Sequence, residues 1–185
     1  MKKLCRLTST LLAVLMCGMI AAGAASSSVE RVQEAGFMSG YSDGQFHAED
    51  VVTRAQMAQI IYTMKNNTTD ASAYAKLTSS FTDISGHWAV GAIKYCAASG
   101  VIRGKTATAF APDDSVTGLE AAKMLLVGYL GKDPTKEGLN GARWSQNTKT
   151  LGNQAELFAQ IDGALDEPIS RGSVAQMICN ALDAK

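Results

Sequence analysis

The chain has 185 residues, 46% of them apolar and 18% charged, and its 17 basic and 17 acidic side chains balance to a formal charge of zero. That is an ordinary globular composition, with length for one domain or an array of small repeats. No basic patch favours nucleic acid, and two cysteines beyond residue 25 are too few for a disulfide framework.

Residues 1–25, MKKLCRLTSTLLAVLMCGMIAAGAA, read as a secretory signal peptide. Lys2, Lys3 and Arg6 form a basic start, Leu11 to Ala22 an apolar stretch short for a membrane span, and Ala22-Gly23-Ala24 a small-residue cleavage site. A membrane anchor is the competing reading, but no stop-transfer flank follows Ala25. Lipidation of Cys17 is disfavoured by bulky Leu15 and Met16 before it. The mature chain is therefore expected to be secreted, with no membrane contact after cleavage. It would carry 14 basic against 17 acidic side chains and lose Cys5 and Cys17. Cys96 and Cys179 lie on apolar helical faces and read as buried small hydrophobes rather than a disulfide.

The rest of the chain repeats. At an offset of 64, Gly36, Gly40, Phe46, Val52 and Thr53 fall on Gly100, Gly104, Phe110, Val116 and Thr117. At an offset of 117, Ser170 and Arg171 fall on Thr53 and Arg54. The stripes Met57-Ile60-Ile61-Met64, Ala121-Met124-Leu125-Gly128 and Val174-Met177-Ile178-Ala181 keep an i, i+3, i+4, i+7 spacing, so each copy ends in an amphipathic helix. A further stripe, Ala89, Ala92, Ile93, Cys96 and Ala97, precedes Gly100, which is placed to end its helix in a left-handed cap. Three units follow: a truncated one at 26–66, a full one at 81–130 and a degenerate one at 141–185. Each is helix, glycine turn, extended loop, helix. Residues 65–80 and 131–149 read as linkers or loops, and short extended pieces are expected near Phe46 and Phe110.

In TRAQ at Thr53 and TGLE at Thr117, the first residue can cap the helix and the fourth can reach back, which makes a capping box. That explains Thr53, Gln56, Thr117 and Glu120. It does not explain Arg54, because a cation in the first turn opposes the helix dipole. Two readings stay open. Arg54 lies open beside unpaired helix N–H groups as an anion pocket, or it pairs with Asp43, Glu49 or Asp50.

The pattern FTDISGHWA…AIKYCAASGVIRG, with GYSDGQFHAEDVVTRAQMAQII, closely resembles the S-layer homology (SLH) domain family. The resemblance implies an all-α fold of three helix–loop–helix units packed as a pseudo-threefold bundle. It implies non-covalent binding to secondary cell-wall polysaccharide, pyruvylated in the family's usual ligand, on peptidoglycan at the surface of a bacterium. The family's ligand-facing positions fall on Gly40 and Arg54 in the first unit, with the backbone at Tyr41 beside them. They fall on Asp83, Trp88 and Gly104 in the second unit, and on Arg171 in the third. The departures are Gly118 in place of the arginine, GKTATAF in place of G-Y-x-D-G-x-F, and a third unit without that loop, where Trp144 stands in for Trp88.

Asp83 also reads as a turn or helix-start cap, Trp88 as core, His87 as part of a helix start and His47 as a solvated loop residue. Neither histidine has metal-ligand spacing, and YSDG lacks the acidic ladder of a calcium loop. No cofactor is implied. No nucleophile elbow, phosphate loop or paired-carboxylate signature points to an enzyme, and no catalytic residue is assigned. Two functions remain: a wall-binding module with an Arg-centred sugar pocket, or an SLH scaffold with decayed pockets that binds another protein or builds the surface layer.

Overall fold

The apolar stripes organise the computed structural model of the protein, which describes residues 27–185. The expected leader, 1–25, with Cys5 and Cys17, lies outside the described residues. Helices α1 (Ser28–Glu34) and α2 (Arg54–Asn66) form the first pair, α3 (Val90–Ala98) and α4 (Gly118–Gly128) the second, α5 (Trp144–Gln154) and α6 (Arg171–Asp183) the third. Among the described residues there is no strand ladder, only isolated bridges, so the fold is all-α. The stripes of α2, α4 and α6 are buried along their length, and together they make the core.

The three pairs close into a ring. Val52 N–H donates to the Ile169 carbonyl at 3.0 Å, Ile169 to Val116 at 3.0 Å, and Val116 back to Val52 at 2.9 Å. These residues stand one before each helix cap, at the offsets of 64 and 117 read from the sequence. Bridges Val51–Ser170, Thr53–Ser115 and Thr117–Pro168 repeat the same symmetry. The second helix of each pair packs on the first helix of the next: α2 on α3, α4 on α5, α6 on α1. This is a pseudo-threefold arrangement. Its extended pieces sit just before the caps rather than near Phe46 and Phe110.

Two segments expected as loops hold structure. Residues Ser72–Lys76 form a 3-10 turn, and Tyr74 meets Tyr62 and Tyr95 edge-on at 5.7 and 4.9 Å. Its aromatic anchor outweighs a polar sequence. Gly91 lets this segment close on α3, since a Cβ there would lie 2.1 Å from the Ala71 carbonyl oxygen. Helix α5 starts at Trp144, inside the expected 131–149 loop, and buries little beyond Thr148 and Gly152, so its apolar periodicity is faint. Cys96 and Cys179 are buried free thiols, and burial pushes Cys96 up to about 12. No described helix is long and apolar enough to cross a membrane.

Candidate binding clefts between the units

Both capping boxes form. Thr53 Oγ1 accepts from Gln56 N–H at 3.2 Å, and Gln56 Oε1 accepts from Thr53 N–H at 2.9 Å. Thr117 and Glu120 do the same at 3.2 and 3.1 Å. Ser170 caps α6 through Ser173 N–H at 3.2 Å.

The remaining first-turn N–H groups are not left for an anion. Arg54 and Ala55 N–H donate to the Asp114 and Pro112 carbonyls at 2.8 and 2.9 Å. Gly118 and Leu119 donate to Glu167 and Leu165 at 3.2 and 2.8 Å, and Arg171 and Gly172 to Asp50 and Ala48 at 2.8 Å each. Each helix start is thus closed by the loop of the next unit.

The guanidinium of Arg54 is closed off in the same way, which corrects the expectation that it lies open. Arg54 is only 4% exposed. Its Nε donates to the Phe110 carbonyl at 2.9 Å, one terminal nitrogen donates to the Arg103 carbonyl at 2.6 Å, and the other stands 3.6 Å from Glu120. Asp43, Glu49 and Asp50 are not its partners. Carbonyl oxygens of the neighbouring loop therefore hold a cation that the helix dipole disfavours. Burial lowers the Arg54 pKa, and Glu120, Asp114 and Asp83 oppose that. Arg171, 7% exposed, repeats the arrangement one unit away. It donates to the Phe46 carbonyl at 2.9 Å and the Ser39 carbonyl at 2.7 Å, between the rings of Tyr41 and Phe46.

The loops that the arginines hold need glycine. At Gly104 a Cβ would come 2.4 Å from Phe81 and 2.5 Å from the Thr106 carbonyl oxygen, and at Gly40 2.9 Å from the Gln45 carbonyl oxygen. Asp83 accepts from Phe110 N–H at 2.9 Å and Ala111 N–H at 2.7 Å, so its carboxylate pins the same loop from outside. His87 accepts from Ala89 N–H at 3.1 Å, at the start of α3, and His47 pairs with Asp43 at the surface.

Of the clefts beside these loops, two take in a first-turn arginine. Cleft one, about 220 Å³, is lined by Arg54, Arg103, Gly104, Lys105, Glu120, Lys123, Asn140 and Trp144. Cleft two, about 490 Å³, is lined by Arg171, Ser39, Gly40, Tyr41, Gln56, Gln59 and Trp88. They are the same site one unit apart. In each, one unit supplies the arginine, the next supplies the glycine loop and the second helix, and the one after supplies a tryptophan. The structure therefore brings Arg54, Gly104 and Trp144 together, and Arg171, Gly40, Tyr41 and Trp88 together. It separates Arg54 from Gly40, and Trp88 from Gly104, although each of those pairs shares a unit. Trp88 is 63% exposed, so it is not a core residue.

At the third equivalent position Gly118 stands in place of the arginine, and a Cβ there would lie 3.1 Å from the Leu165 backbone. A cavity of about 200 Å³ remains, lined by Gly118, Asp162, Leu165, Glu167, Ser170 and Ser173, with neither arginine nor indole among its lining residues. Arg103, Lys105, Lys123, Asn140 and Gln59 were not singled out from the sequence. The signal for Lys123 and Gln59 is their place three residues after the capping-box residues Glu120 and Gln56, on the same helix face. No cluster of three potential metal ligands occurs among the described residues.

The family model of the S-layer homology domain matches residues 18–58 and 80–122. Two segments of the chain thus match the SLH domain. It is 26% identical over 163 residues to a "Surface layer protein" of Brevibacillus choshinensis, a match covering 88% of this chain and 14% of that protein. A "Middle cell wall protein" of Brevibacillus brevis is 24% identical over 155 residues, covering 83% of this chain and 14% of that protein. A "Cellulosome-anchoring protein" of Acetivibrio thermocellus is 28% identical over 118 residues, covering 64% and 25%. The chain thus spans a quarter or less of the length of these three relatives. The two SLH matches take in Gly40, Arg54, Asp83, Trp88 and Gly104. Arg171 and Trp144 lie outside them, joined to the matched segments by the ring of hydrogen bonds and by the two clefts.

Proposed function

We propose that this protein is an exported wall-attachment module that binds secondary cell-wall polysaccharide non-covalently in its two open clefts. The observation that carries the reading is the repetition of one built site, a glycine-floored cleft walled by an indole, at two of three equivalent positions. A glycine floor lets a sugar approach the backbone, and an indole face suits a pyranose ring. An acidic substituent such as a pyruvate ketal would find cations in cleft one. Arg54 and Arg171 serve as positioning residues: each builds its cleft by holding the neighbouring loop. A few polar contacts and one stacking face give weak binding per cleft, so attachment to a repeating polymer gains from avidity across two.

Sedimentation with purified wall sacculi tests this. The wild-type protein should pellet with intact sacculi and stay in the supernatant once the secondary polymer is stripped. Trp88→Ala with Trp144→Ala should also stay in the supernatant while retaining a cooperative melt. Equal pelleting of the folded double variant would overturn the reading and favour an SLH scaffold that contacts another surface protein.

A further inference from the structure

A groove of about 560 Å³ borders cleft one, sharing Arg103, Gly104 and Lys105 with it but neither Arg54 nor Trp144. Lys94 and the hydroxyl residues Thr78, Ser79 and Ser80 line the groove alone. Its walls are tied together: Ser80 Oγ donates to the Ala107 carbonyl at 2.8 Å, and Thr82 N–H to the Thr108 carbonyl at 2.9 Å. Three cations meet there without one acidic lining residue, on a chain that beyond residue 25 has 14 basic against 17 acidic side chains. Lys105 shares Glu120 with Arg54, at 3.4 and 3.6 Å. Lys94 donates to the Ala75 carbonyl at 2.7 Å, and among the described residues neither it nor exposed Arg103 has a carboxylate partner. Like charges held together repel, and the crowding reaches cleft one, where burial first and the charge of Arg103 second lower the Lys123 pKa. The hydroxyls complement the cations. Ser79 Oγ accepts from Phe81 N–H at 3.2 Å, and Thr106 Oγ1 from Thr108 and Ala109 N–H at 3.2 and 2.9 Å. Each oxygen is the acceptor in those bonds, so each O–H still has a proton to donate.

We propose that this groove is a separate polyanion site, which takes phosphate groups carried along a phosphodiester-linked polymer. Donors spread over two walls suit the tetrahedral oxygens of successive phosphates better than one planar carboxylate, which is best met by a single fork. Lysine binds phosphate as a point charge and needs no such fork. The groove has more than twice the volume of cleft one, room for a length of chain rather than one substituent. It needs neither an indole nor a first-turn arginine, so it stands apart from the sugar reading of the clefts.

In a nitrogen-edited NMR titration of the protein, the amides of Ser79, Ser80, Thr106 and Ala107 report the groove and the Trp88 indole reports cleft two. The probes are a poly(glycerol phosphate) oligomer, inorganic phosphate and glycerol, at matched ionic strength. The oligomer should move the groove amides at about tenfold lower phosphate concentration than inorganic phosphate, because linked charges bind together. Glycerol should move nothing, and added salt should weaken the oligomer. Lys94→Gln and Arg103→Gln should each raise the oligomer midpoint about tenfold, the loss expected for one charged hydrogen bond. Lys136→Gln, at an exposed lysine outside the groove, should leave it unchanged. If Lys94→Gln loses its cooperative melt, Arg103→Gln carries the test, since that side chain has no partner to lose. Equal midpoints in wild type and the folded variants, or a Trp88 response as large as that of the groove, would overturn the proposal. Inorganic phosphate acting at the lower phosphate concentration would overturn it too, leaving a site for the free ion. In sedimentation with sacculi, excess oligomer should compete out the share held by the groove and not the share held by the clefts, so the two readings fail separately.

Discussion

The guanidinium of Arg54 lies 4.7 Å over the ring of Phe110 and donates to the carbonyl of that same residue at 2.9 Å, so one unit grips the next by side chain and backbone together. The grip is local to each interface and repeats wherever the arginine is kept. It makes the arginines part of the fold first and of the clefts second.

Stability is therefore the property that Arg54 controls most directly. Arg54→Ala leaves two inner carbonyls without a donor, and each buried unsatisfied group costs roughly 1–3 kcal/mol. Urea unfolding should show a loss of about 2–5 kcal/mol at unchanged slope. Arg54→Lys keeps a charge but not the planar fork, and should still lose about 1–3 kcal/mol. A midpoint equal to wild type in either variant would mean that the carbonyls find water, and that the interface is looser than the distances imply.

The two loop glycines should differ in a set order. A methyl at Gly104 meets an aromatic carbon and two carbonyl oxygens at 2.4 to 2.6 Å, whereas at Gly40 it meets one carbonyl oxygen at 2.9 Å. Gly104→Ala should lower the melting temperature more than Gly40→Ala and broaden the Trp144 resonance, with Trp88 little affected. Reversed ordering would argue that the loop beside Trp144 has more room than its backbone shows.

Asp83 makes acid stability readable. Desolvation raises its pKa, but the N–H bonds from Phe110 and Ala111 and the charge of Arg54 more than reverse that, and the carboxyl titrates below the ordinary value. A depressed folded pKa means that the unfolded chain takes up the proton first as pH falls. The contribution is complete above the unfolded value of about 3.9 and is lost as pH falls through the folded one. Unfolding free energy measured from pH 5 down to pH 2.5 should decline, and Asp83→Asn should flatten the decline. Asp43, Asp70, Asp133 and Asp183 are lowered too and keep a residual slope. A slope identical to wild type would rule out a charged clamp.

The ring of helices was legible because offsets of 64 and 117 carry a packing period, and a buried stripe cannot tolerate many exceptions. Thr53 and Thr117 were legible because a cap and its partner sit only three residues apart in the chain. Arg54 was not, because its partners, Phe110 and Arg103, are backbone atoms about fifty residues away that leave no side-chain signature. The clefts were misread in a related way. The sequence groups residues by unit, while each cleft takes one wall from each of three units, so Trp88 was set beside Gly104 when it faces Gly40. Helix α5 was hidden by the polar residues Ser145, Gln146, Asn147 and Lys149 on a helix that buries one narrow face.

Gly118 tests whether the third cleft is merely missing its arginine. The simplest view holds that Gly118→Arg would rebuild the site. The structure opposes it, because Leu165 backbone and side-chain atoms already lie 3.1–3.2 Å from a Cβ at 118, and the Leu165 carbonyl accepts from Leu119 N–H at 2.8 Å. Even a methyl at 118 lies 3.1 Å from the Leu165 backbone and needs the loop to give by a few tenths of an ångström. Gly118→Ala should thus cost about 1 kcal/mol or less, and Gly118→Arg about 1–3 kcal/mol through overpacking. Neither should increase the amount of protein that pellets with sacculi. Wild-type stability in Gly118→Arg, with stronger pelleting, would show instead that the 161–168 loop swings aside and that a working third cleft lies one substitution away.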